Sequence, residues 1–211
     1  MQYKSKYMIF DLDGTIIDSN PGLSNILLNC LQKYNMPTTE EFIVEVKTKS
    51  MQWLFSRISE IVKTVTKEEV EVELLKKQKE LYEDVELKKS ADEFIKKSYE
   101  DGTRLCVATA TNSDLAEYVL RKKDLLKYFD FVISTTDLKL QTKDTPDIFL
   151  YCANKFKVND YREILLFEDS LNALKAAKSI GIRTCAIYDK EKENDVKKVS
   201  DYSIHDFSEI L

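Results

Sequence analysis

Glycine and proline are scarce in this chain, four and three residues among 211, so it carries no flexible linker and no low-complexity segment. No uncharged apolar run is long enough to span a bilayer, and the opening MQYKSKYMIFD lacks a secretory apolar core before its first acid. Basic charge is not in surplus: 32 Lys and Arg against 37 Asp and Glu leave a net charge of −5. That balance removes the electrostatic reason to expect nucleic acid or an anionic membrane surface as a partner. Cysteine is sparse as well. Cys30, Cys106, Cys152 and Cys185 lie far apart within apolar patterns and form no C-x-x-C pair, which suits reduced core residues better than metal ligands or disulfides. These absences point to the cytosol. The single histidine, His205, lies near the C-terminus and reads as a surface residue.

What remains, 43% hydrophobic and 33% charged residues, is the composition of an ordinary globular protein, long enough for one domain with a large insertion or for two small ones. The apolar run Tyr7-Met8-Ile9-Phe10 reads as a buried strand, followed by Asp11, Asp13, Gly14 and Thr15. Alternate side chains of an extended chain point the same way, so both acids emerge on one side at the strand's carboxyl end, and Gly14 allows a sharp turn. Two carboxylates this close repel and need a shared proton, water or a cation, for which a hard divalent ion such as Mg2+ is suited. A solvated turn after an edge strand is the plainer alternative.

Helical patterns follow. Asn20 caps a helix with Pro21 at its first position, Thr39 starts a short helix, Ser50 precedes one with Met51, Leu54, Phe55, Ile58, Val62 and Val65 on its apolar stripe, and Thr66 caps a charged one. Residues 19–88 form an all-helical block without a strand signal. Beyond it, strands at 104–108, 131–134, 164–167 and 183–188, with a last short one near 202–204, alternate with helices at 90–100, 113–122, 146–156 and 170–180. This alternation predicts an α/β fold: a Rossmann-like parallel sheet flanked by helices, built from 1–18 and 89–211, with an all-helical cap domain inserted at 19–88 and placed to act as a lid.

In open parallel sheets ligands gather at the carboxyl ends of the strands. There the chain places Thr109-Ala110-Thr111-Asn112, a hydroxyl-rich turn at a helix N-terminus suited to an anion, and a second acidic pair, Glu168-Asp169. Lys143 precedes the helix that starts at Pro146. Each feature alone has a modest explanation, a helix cap or a solvated charge. Their recurrence at successive strand ends makes one site of four acids, a hydroxyl nest and a lysine.

With DLDGTIIDS at 11–19, VATATN at 107–112, KDTPDIF at 143–149 and LLFEDSLNALKAAKSIGI at 165–182, the chain resembles the haloacid dehalogenase superfamily. The likeness is to its phosphatase branch with a helical cap after the first motif, the group of phosphoglycolate phosphatases and β-phosphoglucomutases. The resemblance implies a Mg2+-dependent phosphatase acting on a small phosphorylated metabolite. Asp11 would be the nucleophile that forms an aspartyl-phosphate, and Asp13 the general acid and base. Asp11, the Asp13 backbone carbonyl, Asp169 and Glu168 would hold the metal, the last directly or through water. Thr109, the backbone near Ala110, and Lys143 would bind the phosphoryl oxygens, with Thr15 and Asn112 supporting them. The family's proline after the motif lysine is replaced here by Asp144, which adds a negative charge beside Lys143.

The first cap segment, Asn20-Pro21-Gly22-Leu23, lacks the histidine that a β-phosphoglucomutase-like protein would carry there, which favours hydrolysis over a phosphosugar mutase. A non-enzymatic aspartyl phosphoacceptor is disfavoured by Asp13 and by the helical insertion, and a dehalogenase by the acid cluster. In the cap, Lys47, Lys49 and Arg57 are candidates to meet a second anionic group on the substrate, although a solvated helix face is the commoner use of each. Trp53 reads as cap core or interface.

Overall fold

The computed structural model describes residues 3–188 and 193–211, and the side chains at positions 47, 48, 193 and 194 lie outside that description, among them the Lys47 proposed for substrate contact. The described chain divides into two compact units, residues 1–18 with 86–211 and residues 19–85.

The larger unit is an α/β layer structure. Its strands are β1 (Tyr7–Phe10), β2 (Arg104–Thr109), β3 (Phe131–Ser134), β4 (Ile164–Glu168), β5 (Arg183–Ile187) and β6 (Tyr202–Ile204), all parallel, in the order β3-β2-β1-β4-β5-β6. β1 sits between β2 and β4, with Phe10 opposite both Val107 and Phe167. The strand order reverses direction there, so the carboxyl ends of β1, β2 and β4 flank the switch-point crevice typical of such sheets.

Both sheet faces are covered, which is why the strands are apolar throughout. Ile9, Cys106, Ala108, Ile164 and Leu166 point to one face. They pack there against α7 (Asp147–Phe156), through Ile148, Phe149 and Cys152, and against the alanines of α8 (Leu171–Ser179). The opposite face is aromatic. Phe10 stacks on Phe167 at 4.9 Å, and both meet Phe94 of α5 (Ala91–Glu100) and Phe207 near the C-terminus. Such rings contribute about 0.5–1.5 kcal/mol per pair beyond their buried area.

The second unit contains α1 (Asn20–Lys33), α2 (Glu40–Lys49), α3 (Met51–Val62) and α4 (Lys67–Asp84), packed around Leu31, Leu54, Phe55, Ile58 and Val70. Its helix starts follow local chemistry. The side chains of Thr39 and Ser50 accept from the backbone N–H groups of Phe42 and Trp53, and Thr66 forms a reciprocal box with Glu69. At α1 the cap position belongs to Ser19, one residue before the expected Asn20, and no side chain closes it. Met51, expected on the apolar stripe of α3, is 40% exposed because it occupies the helix's first position, ahead of the packed turns.

Within the larger unit, the passages where the chain leaves it and returns to it run side by side. Asp18 N–H donates to Glu86 O at 2.8 Å, Lys88 N–H donates to Ile16 O at 2.8 Å, and Ile17 bridges Leu87 in antiparallel fashion, a pairing that the helical reading of 19–88 did not anticipate. A further helix, α9 (Glu193–Val199), completes the set and was also unanticipated. It lies in a run of charged residues in which, among the described side chains, Val196 is the buried one, so no apolar period marks it. No described helix is long and apolar enough to cross a membrane.

Candidate active site

β1 ends in Phe10, and the backbone N–H of Asp11 continues the sheet pattern by donating to Phe167 O of β4 at 2.9 Å. The chain then turns, with Gly14 at φ 80° and its N–H donating to Ile17 O at 2.8 Å, a left-handed conformation that favours glycine. Asp11 is thereby held buried at the switch point, directly across from Glu168 and Asp169 at the end of β4.

Lys143 ties these strand ends together. Its buried ammonium donates to Asp11 Oδ1, to Glu168 Oε2 at 2.7 Å, and at 3.5 Å to the carbonyl of Ala108 on β2. The other oxygen of Glu168 accepts from the N–H groups of Asp169 and Ser170, at 3.2 and 3.0 Å, closing the turn into α8. One carboxylate oxygen from each of Asp11, Glu168 and Asp169 lies within 4.8 Å of the others. Ligands around one Mg2+ span up to about 4.2 Å, twice its ~2.1 Å bond length, so this all-oxygen set fits a hard divalent cation after a small adjustment.

The electrostatics agree with that fit. Burial first, and then the charge of Glu168, hold the Asp11 carboxyl well above the usual carboxylate range, against the pull of Lys143. Glu168 is also raised, again by burial first. Burial works to depress the Lys143 ammonium, but the charges of Asp11 and Glu168 outweigh it and hold the group above its ordinary value. Three acids against one lysine leave negative charge that a divalent cation would offset.

β2 contributes the hydroxyl turn. Thr109 ends the strand, and its buried hydroxyl accepts from Thr111 N–H at 3.0 Å. Thr111 Oγ1 in turn donates to Asp13 Oδ2 at 2.7 Å. Ala110 is exposed at the turn's tip. Asn112, and neither threonine, caps α6 (Ser113–Lys122): its side-chain oxygen accepts from the N–H groups of Asp114 and Leu115.

A family profile described as haloacid dehalogenase-like hydrolase matches residues 8–187. The chain belongs to that family. It is 29% identical over 180 residues to the phosphorylated carbohydrates phosphatase of Thermotoga maritima, covering 83% of this chain and 81% of that one. It is 28% identical over 207 residues to the phosphoglycolate phosphatase of Nitrosospira multiformis, covering 90% and 87%. Its fold is similar to that of CbbY from Rhodobacter sphaeroides, crystallised in complex with phosphate, with a TM-score of 0.80 and 20% identity over 98% of this chain and 96% of that one.

In this hydrolase the remaining expected residues fall at varied distances from the acid cluster. Thr15 is fully buried beside the Asp11 turn, and its hydroxyl has no hydrogen-bond partner, a condition that a bound group or ordered water would relieve. Asp144, the departure from the family's proline, turns its carboxylate to Asn172 of α8, which donates to it at 3.3 Å. Arg57 and Trp53 line a cavity of about 430 Å³ in the helical unit, shared with Pro37, Phe42, Glu45 and Glu60. Glu60 pairs with Arg57 at 3.5 Å, and with Glu45 it gives the lining a net negative charge that disfavours an anion. Lys49 is exposed, and so is His205, whose ring lies 4.3 Å from Tyr188.

Thr111 escaped the sequence reading as a site residue. The signal that would have found it is local turn chemistry: a threonine hydroxyl accepts from the N–H two residues on, and here Thr111 N–H donates to Thr109 Oγ1 where β2 ends.

Proposed function

We propose that this haloacid dehalogenase-like hydrolase is a Mg2+-dependent phosphatase of small phosphorylated metabolites, working through an aspartyl-phosphate on Asp11. The observation that carries this reading is the convergence of three strand ends on Asp11: Lys143 and Glu168 beside it, and Asp13 two residues on, oriented by Thr111.

An Asp11 carboxylate oxygen attacks the substrate phosphorus while the bond to the ester oxygen breaks, and Asp13 gives that leaving oxygen a proton. A water then attacks the phosphorus and passes a proton to Asp13, the Asp11–phosphorus bond breaks, and inorganic phosphate leaves. Lys143, Thr109 and the backbone near Ala110 hold the phosphoryl oxygens, with Thr15 and Asn112 supporting them from behind. Asp11, the Asp13 carbonyl and Asp169 would hold Mg2+, with Glu168 acting directly or through water, since its own oxygens already serve Lys143 and the α8 turn. Bound there, the cation supplies positive charge that lets a carboxylate and a phosphate approach each other.

The helical unit takes the part of a substrate-selecting cap in this reading, supported by its insertion directly behind the catalytic segment. A cytosolic setting goes with the four free, buried thiols. The named relatives support phosphorylated carbohydrates and phosphoglycolate as first substrates to try.

The experiment is a panel of phosphorylated metabolites assayed for inorganic phosphate with Mg2+ and with EDTA, on the wild type and on Asp11→Asn. Phosphate release that needs Mg2+ and falls more than about a thousandfold in Asp11→Asn is the expected result. Conversion of a sugar phosphate to its isomer without free phosphate would replace the phosphatase with a mutase.

A further inference from the structure

The turn that follows β3 holds a residue with an unusual set of partners. Asp137 and Ser134 close this turn reciprocally: the Asp137 carboxylate accepts from Ser134 N–H at 3.0 Å, and the Ser134 hydroxyl accepts from Asp137 N–H at 3.1 Å. The second carboxylate oxygen reaches a different element. Asp137 Oδ1 accepts from the hydroxyl of Ser113, the first residue of α6, at 2.9 Å. Two residues earlier in the same turn, Thr135 N–H donates to the carbonyl of Thr109 at 2.9 Å.

The hydroxyl turn Thr109–Asn112 is therefore gripped at both ends by one neighbour. Its first residue is held through the Thr135 bond, and the residue after its last is held through Asp137. The turn is also held by Thr111 Oγ1, which donates to Asp13, and by the Asn112 side chain, which caps α6, while Ala110 is exposed at its tip. Its internal bond from Thr111 N–H to Thr109 Oγ1 sets its shape and not its place. What it carries is sensitive to place: Thr109 and the Ala110 backbone for phosphoryl oxygens, and Thr111 for the orientation of Asp13. A displacement near 1 Å in such a group costs up to about a hundredfold in rate.

We propose that Asp137 is a positioning residue for the phosphate-binding turn, acting through Ser113; this rests on the phosphatase reading above. It lies outside the groups assigned above to substrate and metal. At 2.9 Å the bond from the Ser113 hydroxyl to the Asp137 carboxylate links the entry of α6 to the turn after β3.

Three variants separate this role from simple turn closure. Ser113→Ala removes only the link to α6. Asp137→Ala removes that link and the reciprocal turn. Asp137→Asn keeps both, because its amide oxygen can accept from Ser134 N–H while its NH2 donates to the serine hydroxyl. Each is assayed with p-nitrophenyl phosphate and Mg2+ for kcat and KM, with inorganic phosphate as competitive inhibitor, and melted in parallel. Ser113→Ala and Asp137→Ala should both lose about tenfold in kcat/KM and show weaker phosphate inhibition. Asp137→Asn should stay within about twofold of wild type, and Ser113→Ala should melt within about 2 °C of it.

If Asp137→Ala melts early while Ser113→Ala keeps full kcat/KM and phosphate affinity, Asp137 only closes its own turn and the positioning role is overturned. Equal activity in all three variants overturns it too. A wild type that releases no phosphate from any substrate overturns the phosphatase reading and this role with it, and that failure shows in the unmodified protein alone.

Discussion

Lys143→Met is the most informative single substitution, because it keeps the volume of a buried side chain and deletes the one ammonium bonded to both Asp11 and Glu168. Without it, the buried carboxylates of Asp11 and Glu168 lose the ammonium they share. Breaking a buried ion pair by removing one partner costs about 3–5 kcal/mol, a large part of the roughly 5–15 kcal/mol that holds a domain together. The pH dependence has a definite sign. Burial holds Asp11 and Glu168 above the usual carboxylate range, and Lys143 is what pulls both back, so the substitution raises them further. An acid whose folded pKa lies above its unfolded value of about 4 binds its proton more tightly when folded. It favours the fold below that pH, and the contribution fades as pH rises toward the folded pKa. The cost of Lys143→Met should therefore grow from pH 5.5 to pH 7.5, by up to about 1.4 kcal/mol per pH unit for each proton retained. Urea denaturation in EDTA, followed by circular dichroism at both pH values, measures it. Added Mg2+ should then restore more stability to the variant than to wild type, since the ion takes over the lost charge. A cost below about 1 kcal/mol at pH 7.5, or one that does not change with pH, would refute the claim that Lys143 neutralises this cluster.

Thr111→Val removes the hydroxyl that orients Asp13 while keeping the side chain's shape, and kcat should fall about tenfold with little change in KM, read in the same phosphate-release assay. Unchanged kcat would mean that Asp13 finds its place without help. In the helical unit, Thr66→Ala opens the capping box with Glu69 and should cost about 1 kcal/mol. The fluorescence of Trp53, the chain's single tryptophan and a member of the same unit, reports that loss on melting.

Local chemistry explains which parts of the fold were legible in advance. Helices α2, α3 and α4 begin where Thr39, Ser50 and Thr66 offer an oxygen to the first turn, a signal written within three residues. β1, β2 and β4 are buried on both faces and so read as continuous apolar runs. α9 is marked in the sequence by no apolar stripe, and in the structure it packs against α8 and β6. Met51 and Ser19 show the usual slip of a residue at helix ends, where periodicity says least.

By itself the sequence determined that acids stand at two strand ends, that a hydroxyl turn stands at a third, and that a helical block follows the first, because strand periodicity and capping are short-range. Which atoms meet was decided only by the parallel order β3-β2-β1-β4-β5-β6. That order brings Lys143 to Asp11, 132 residues away, Thr111 to Asp13, 98 away, and Asp137 to Ser113, 24 away. Such pairings depend on the register between strands and on burial that shuts out water, and neither is a property of any short stretch of chain.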